Sequence, residues 1–101
     1  MNWKYEKGRI YSTNENNELE AETTYIFKEN GEIVIDHTFV NPALRGQNVA
    51  GKMMEVVSNY LRENGLKASA TCPYANAWLI KHREAYADII SNDIDAATVE
   101  K

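Results

Sequence analysis

Alternating polar and apolar residues predict a β-rich first half. Within 20–28, Ala21, Thr23, Tyr25 and Phe27 share one parity and Glu22, Thr24 and Lys28 the other, the period of a half-buried strand. Asn30-Gly31 follows, a dipeptide that tolerates the positive φ angles of a tight hairpin, so 20–28 is expected to pair antiparallel with 32–40. Residues 9–13 form a short β-prone run, and the polar cluster 14–18 reads as a turn. Together these segments make a three-stranded meander. Strict alternation along the third strand places Ile33, Ile35, His37 and Phe39 on one face and Val34, Asp36, Thr38 and Val40 on the other. Pro42 ends the strand, because it has no amide hydrogen to donate.

The period then changes. Val49, Met53, Val57, Tyr60 and Leu61, joined by Ala50, Met54 and Val56, recur at spacings of three and four and predict a helix with one buried face. Asn64-Gly65 stops it with a residue suited to the left-handed conformation. Residues 66–72 read as a strand that Pro73 ends. Strand, loop, helix and strand make a βαβ unit, whose crossover is right-handed in ~98% of cases and whose two strands are parallel. A second helix is expected after Pro73, with Ala75, Trp78 and Leu79 buried, and the chain finishes through Tyr86, Ala87, Asp88 and Ile89. The expected class is α+β, an antiparallel meander followed by a right-handed βαβ unit, with helices packed on a curved mixed sheet. Residues 1–90 are expected to form a single domain and 91–101 an acidic, loosely ordered end.

Composition narrows the function. A chain of 101 residues matches one domain of ~100 to 150 and excludes a two-domain enzyme. Hydrophobic residues at 44% and charged residues at 26% permit a packed core and exclude a disordered or fibrous chain. No apolar run approaches the ~20 residues of a membrane span, and the N-terminus lacks a signal-peptide pattern, so a cytoplasmic protein without a membrane partner is expected. A net charge of -4 argues against nucleic acid bound over a broad basic face, so an anionic ligand must be held locally. One cysteine, Cys72, excludes an internal disulfide, and with two histidines it makes no structural zinc set; no metal is expected.

Local anion binding has one clear candidate. Leu44-Arg45-Gly46-Gln47-Asn48-Val49-Ala50-Gly51 joins a strand to the N-terminus of its helix, where free backbone amides and the positive end of the helix dipole converge. Gly46 and Gly51 permit close approach, Arg45 and Lys52 add positive charge, and a pyrophosphate is the natural occupant. The plain alternative is a βα loop whose glycines serve turn geometry alone. The run is neither a Walker motif nor a dinucleotide fingerprint.

His37-Thr38-Phe39-Val40-Asn41-Pro42 after a hairpin, followed by this loop, resembles the GNAT acyltransferases, whose acetyl-CoA loop reads Arg/Gln-x-x-Gly-x-Gly/Ala. Arg45 and Ala50 fit that pattern; Asn48 stands where the family has its first glycine, and Asn tolerates left-handed geometry best after Gly. Cys72-Pro73-Tyr74-Ala75 and Tyr86-Ala87-Asp88 extend the resemblance, over roughly 9–90, to the minimal YjdJ-type small N-acetyltransferase domain. The resemblance implies a GNAT-like fold and binding of acetyl-CoA or coenzyme A. It implies the pyrophosphate on the amides of Gln47, Asn48, Val49, Ala50 and Gly51, and the pantetheine arm between splayed parallel strands. Val40, Arg45, Gly46, Lys52, Pro73 and Tyr74 complete the expected cofactor-binding set, and Cys72 is the implied active-site residue.

Beside the resemblance stands a physical reading. Cys72 ends one parallel strand and His37 lies near the end of the other, so both are expected at the mouth of the crevice where open α/β sheets bind ligands. An imidazole within hydrogen-bonding reach lowers a thiol's pKa, and the thiolate takes the acetyl group before passing it on. The alternatives are a packing role for Cys72 and a hydrogen-bonded core role for His37. His82 is expected to be solvated or helix-capping, and Trp78, Met53 and Met54 to pack.

Three functions remain: an acetyl-CoA-dependent N-acetyltransferase acting on a small-molecule or protein amine; a CoA- or acyl-CoA-binding module or accessory protein without efficient transfer; and an interaction domain without cofactor. The expected partners are an acyl-CoA donor and an amine acceptor. The expected assembly is a monomer or weak homodimer.

Overall fold

The structure, a computed structural model, describes residues 1–94; residues 95–101 of the expected acidic end lie outside them. Five strands, β1 (Trp3–Glu6), β2 (Arg9–Thr13), β3 (Leu19–Phe27), β4 (Ile33–Val40) and β5 (Ala68–Ala70), form one sheet in chain order. The first four are antiparallel, and β4 pairs with β5 in parallel, so the sheet is mixed. Helix α1 (Val49–Glu63) connects β4 to β5; α2 (Pro73–Lys81), α3 (Arg83–Tyr86) and a 3-10 turn at Ala87–Ile89 follow.

β1 extends the expected meander by one strand. It is four residues long and mostly exposed, too short for alternation to reveal, but Tyr5 stacks on Tyr60 of α1 at 5.2 Å between ring centroids. At the other edge, β5 spans only three residues of the expected 66–72.

One extra residue reshapes β4. Tyr25 pairs with Ile35 but Thr24 with His37, so Asp36 has no partner on β3 and forms a β-bulge. Its carboxylate accepts a 2.6 Å hydrogen bond from the Thr24 hydroxyl. Beyond the bulge the parity of the strand is inverted. Thr38 and Val40 now lie opposite Thr23 and Ala21 on the helix-covered face, while His37 and Phe39 lie opposite Thr24 and Glu22 on the other. This corrects the expected grouping of His37 and Phe39 with Ile33 and Ile35, because strict alternation cannot register an added residue.

The core lies between the sheet and its helices. Ile10, Ala21, Tyr25, Ile33 and Ile35 face Val49, Met53, Met54, Val57 and Leu61 of α1 and Ala75, Trp78 and Leu79 of α2, all buried. The expected stripes of both helices are therefore the packed ones. No outer-face residue of β1, β2, β3 or β4 is buried, so among the described residues that side of these strands has no covering layer.

The last described residues are tied down by polar contacts. Ser91 is buried, its amide donating to the Ala68 carbonyl and its hydroxyl to Glu32. Arg62 of α1 donates to both carboxylate oxygens of Asp88 at 2.8 Å and to the Ala85 carbonyl, and its guanidinium lies over the Tyr86 ring. Tyr86 and Asp88 thus dock the last turn on α1.

Those hydrogen bonds hold the Asp88 carboxyl below its ordinary value. A carboxyl depressed in the folded state adds stability above its unfolded value of ~3.9, and that stability is lost as pH falls through the lower folded value. Unfolding in urea should therefore show the wild type losing more stability than Asp88→Asn as pH is lowered from about 5 to about 2. Equal losses would mean that the pair contributes nothing.

Candidate active site

The parallel ladder stops where the bulge begins. Thr71 and Cys72 both donate their amides to the Ile35 carbonyl, at 3.0 and 3.2 Å, and the strand pairing goes no further. Beyond it β4 continues through Thr38 and Val40, whereas Pro73 turns the other chain into α2. A cleft of about 340 Å³ opens there, lined by Thr38, Phe39, Val40, Leu44, Arg45, Gly46, Asn48, Val49, Ala50 and Tyr74.

One wall of the cleft is the loop entering α1. The Asn41 side chain accepts the Ala43 amide and donates to the Leu19 carbonyl, starting a 3-10 turn at Pro42–Leu44. Gly46 takes φ +86°, and Asn48 takes φ 56°, ψ 33° as the N-cap of α1. Asn48 thus occupies the left-handed region that its side chain tolerates better than most. It makes no side-chain capping bond, and the first amide to close an intrahelical bond is that of Lys52, to the Asn48 carbonyl. The amides of Val49, Ala50 and Gly51 belong to the first turn, which has no carbonyl of its own to meet.

Asn48 also explains Gly51. A Cβ on Gly51 would stand 2.6 Å from the Asn48 Oδ1, so the Asn48 side chain occupies the space that a helical alanine would fill. Asn48 and Tyr74 both line the 340 Å³ cleft and an adjoining groove of about 360 Å³ between α1 and α2, which Gly51, Glu55, Ala77, Trp78, Lys81 and His82 complete. His82 closes α2: its Nδ1 lies 2.8 Å from the Trp78 carbonyl oxygen and its ring stacks on Trp78 at 4.0 Å. Tyr74 is 42% exposed, and partial burial raises its phenol pKa.

Behind Thr38 of the other wall lies the thiol. Cys72 is half-buried, in extended conformation as the N-cap of α2, with its Sγ 3.3 Å from the Thr38 Oγ1. The inverted parity of β4 makes this contact, because it turns Thr38 toward the helix-covered side. His37 points to the opposite side, its ring 54% exposed and its Nε2 4.0 Å from a Glu22 carboxylate oxygen. Glu22 in turn accepts a 2.5 Å bond from Arg9. The expected imidazole neighbour of Cys72 is thus replaced by a hydroxyl.

Of the expected cofactor-binding residues, Val40, Arg45, Gly46, Asn48, Val49, Ala50 and Tyr74 meet in the cleft. Gly51 lies in the adjoining groove; Gln47 and Lys52 are exposed outside both, and Pro73 lines a cavity on the far side of Cys72. Thr38, Phe39 and Leu44 line the cleft without having been singled out from the sequence. The signal for Thr38 was Asp36, a residue type depleted in strands, in the middle of one.

The contact between Asn48 and Gly51 makes their substitutions interdependent. Gly51→Ala should stabilise α1 by ~1 kcal/mol in an Asn48→Gly background, through helix propensity, and by clearly less when Asn48 is present. A double-mutant cycle in urea measures the difference; strict additivity would show that the Asn48 side chain moves aside freely.

Comparison with known proteins agrees with this architecture. Residues 9–89 match the family model of the GCN5-related N-acetyltransferases. Among solved structures, a GCN5-like candidate N-acetyltransferase from Staphylococcus aureus is 38% identical, with 89% of this chain and 87% of that one covered and a TM-score of 0.72. A nourseothricin acetyltransferase shares the fold at 14% identity and a TM-score of 0.51, over 75% of this chain and 46% of the other. No curated protein sequence matches. With most of its length under the family model and a relative of the same size matched nearly end to end, the chain belongs to the GCN5-related N-acetyltransferase family.

Proposed function

We propose that this protein transfers an acetyl group from acetyl-CoA to an amine through Cys72. The observation that carries the reading is the single cleft with an anion-binding loop on one wall and, through Thr38, a thiol at the other. The donor set suits a pyrophosphate: first-turn amides of Val49, Ala50 and Gly51, the positive end of a fifteen-residue helix, and Arg45 at the rim. The pantetheine arm would then run past Val40 and Thr38 into the gap between β4 and β5, which brings the thioester to Cys72.

The chemistry balances as a relay. Cys72 Sγ attacks the thioester carbonyl carbon, the bond from that carbon to the CoA sulfur breaks, and CoA leaves as a thiol with the proton that Cys72 gives up. A neutral amine then attacks the same carbon, the bond to Sγ breaks, and Cys72 regains a proton from the nitrogen. Thr38 is a positioning residue in this scheme, holding the thiol toward the cleft. A thiol used in catalysis stays available in a reducing compartment, which suits a cytoplasmic setting. One observation favours a second reading, a CoA- or acyl-CoA-binding module without efficient transfer: the Asn48 side chain leans over Gly51 at the mouth of the proposed pyrophosphate site.

Calorimetric titration with acetyl-CoA should give a saturable one-to-one isotherm, and Arg45→Ala should weaken it about tenfold, the value of a charge-assisted hydrogen bond. Mass spectrometry after incubation should find one acetyl group on Cys72. Thr38→Val should slow that acetylation about tenfold with the acetyl-CoA affinity unchanged. Binding without acetylation of Cys72 or of any amine would select the binding-module reading, and no binding at millimolar ligand would defeat both.

A further inference from the structure

The two edges of the sheet end differently. β5 is covered: Ile90 bridges to Ala68, and the Ser91 amide donates to the Ala68 carbonyl. β1 is the other edge, and among the described residues no strand pairs with its outer side. The hairpin decides which backbone groups face outward there. Glu6 and Arg9 flank the two-residue turn Lys7-Gly8 and exchange both backbone bonds, and antiparallel bonding alternates along a strand, so Lys4 bonds Tyr11 in the same way. The amides and carbonyls of Trp3 and Tyr5 then point away from β2. Such a row is a template for a further strand.

Its side chains fit one kind of partner. Tyr5 pairs with the buried Ile10, so Tyr5 faces the helices while Lys4 and Glu6 face the uncovered side of the sheet. A lysine alone guards an edge against pairing, but here Glu6 stands two residues on, and the two charges are placed evenly about Tyr5. On the other face Tyr5 is 51% exposed, although its ring stacks on Tyr60. A groove of about 450 Å³, lined by Tyr5, Val56, Asn59, Tyr60, Glu63 and Asn64, lies beside that ring along α1. Unpaired backbone, an open aromatic face and a groove thus coincide at one residue.

We infer that β1 is an interface for a second copy of this chain, paired antiparallel about a two-fold axis at Tyr5. Each Tyr5 amide donates to the carbonyl of the partner's Tyr5. Lys4 lies opposite the partner's Glu6, and Glu6 opposite the partner's Lys4, as non-hydrogen-bonded pairs, whose side chains come closest. Charge fixes this register. Moving the axis by one residue sets Lys4 against the partner's Lys4, or Glu6 against the partner's Glu6, and like charges directly opposite are destabilising. The axis passes through the plane of the sheet, so both helical layers stay on one side and the two grooves face each other across the Tyr5 rings. A four-residue edge makes a small interface, so the dimer is weak, with a dissociation constant of about 10 μM to 1 mM. β1 lies at the opposite edge of the sheet from the β4–β5 cleft, so the inference is independent of the proposed acetyl transfer.

Sedimentation equilibrium of the full chain up to ~1 mM should show a reversible monomer–dimer equilibrium. Over the same range amide exchange at Tyr5 should slow, while that at Lys4, already bonded to Tyr11, should not change. Lys4→Glu sets like charges opposite each other at two places and should weaken self-association about tenfold, and Glu6→Lys should do the same. An equimolar mixture of these two variants should associate about as tightly as the wild type, because each then meets its opposite, and the double variant Lys4→Glu/Glu6→Lys should recover it as well. The mixture separates pairing across the axis from damage to the hairpin, in which Lys4 donates to Thr13 and Glu6 accepts from Tyr11, both at 2.9 Å, since such damage would persist on mixing. A chain monomeric at ~1 mM, a dimer that forms without slowing exchange at Tyr5, single variants that associate like the wild type, or a mixture that stays monomeric would overturn the inference.

Discussion

The site depends on one unpaired residue, Asp36. A regular β4 would keep Ile33, Ile35, His37 and Phe39 in a single row and would carry its pairing with β5 past Ile35. The bulge prevents both. It gives β4 two residues where β3 has one, which inverts the strand's faces and increases its local twist, and the ladder to β5 ends at the Ile35 carbonyl. From that point the parallel strands are free to part, and the cleft opens beside the continuing β4, between it, the loop into α1 and Tyr74 of α2. The Thr24 hydroxyl on the Asp36 carboxylate gives the extra residue a partner that the ladder cannot. A residue type poorly suited to a regular strand is thereby well suited to interrupting one.

The loop into α1 depends on the same packing. Val49 and Met53 are buried against the sheet, so the first turn of the helix cannot swing away from the end of β4, and its free amides stay aimed at the cleft. Asn48 and Gly51 then behave as a matched pair. An asparagine at positive φ brings a side chain to the helix mouth, and the glycine three residues later leaves room for it. The departure from the family's glycine pattern at position 48 is thus accommodated at position 51. An anion held at this loop would meet only the amide surface that side chain leaves open.

The elements most legible in the sequence are those whose signals are local and repeated. The hairpin at Asn30-Gly31, the helix 49–63 with its buried stripe and the turn into a second helix at Pro73 each rest on several residues that agree. The first strand was not legible, because four residues with one ring stacked on a helix carry no periodicity. Face assignment beyond Asp36 failed for a different reason: alternation assumes one residue per step, and a bulge breaks that assumption with a single residue. The loss reached the site directly, since His37 was placed beside Cys72 where Thr38 stands. Arg45, Gly46, Asn48, Val49 and Ala50 were singled out because glycine, charge and a helix start coincide there, whereas Phe39 belongs to the cleft only through its three-dimensional closure.

A two-layer structure has a consequence for two-substrate chemistry. With α1 and α2 packed in one core against the sheet, the proposed donor cleft lies between β4 and the helices. Cys72 lies where the last rung of β5 becomes the cap of α2, with its sulfur against Thr38 of that cleft. A covalent relay then removes the need for both substrates to be bound at once, which matters in a chain too small to enclose them together. In the proposed relay the donor can leave before the acceptor arrives, because the sulfur holds the acyl group meanwhile. On this argument the small size of the domain and the proposed use of a thiol belong together: the less an enzyme can enclose, the more it gains from holding the intermediate covalently.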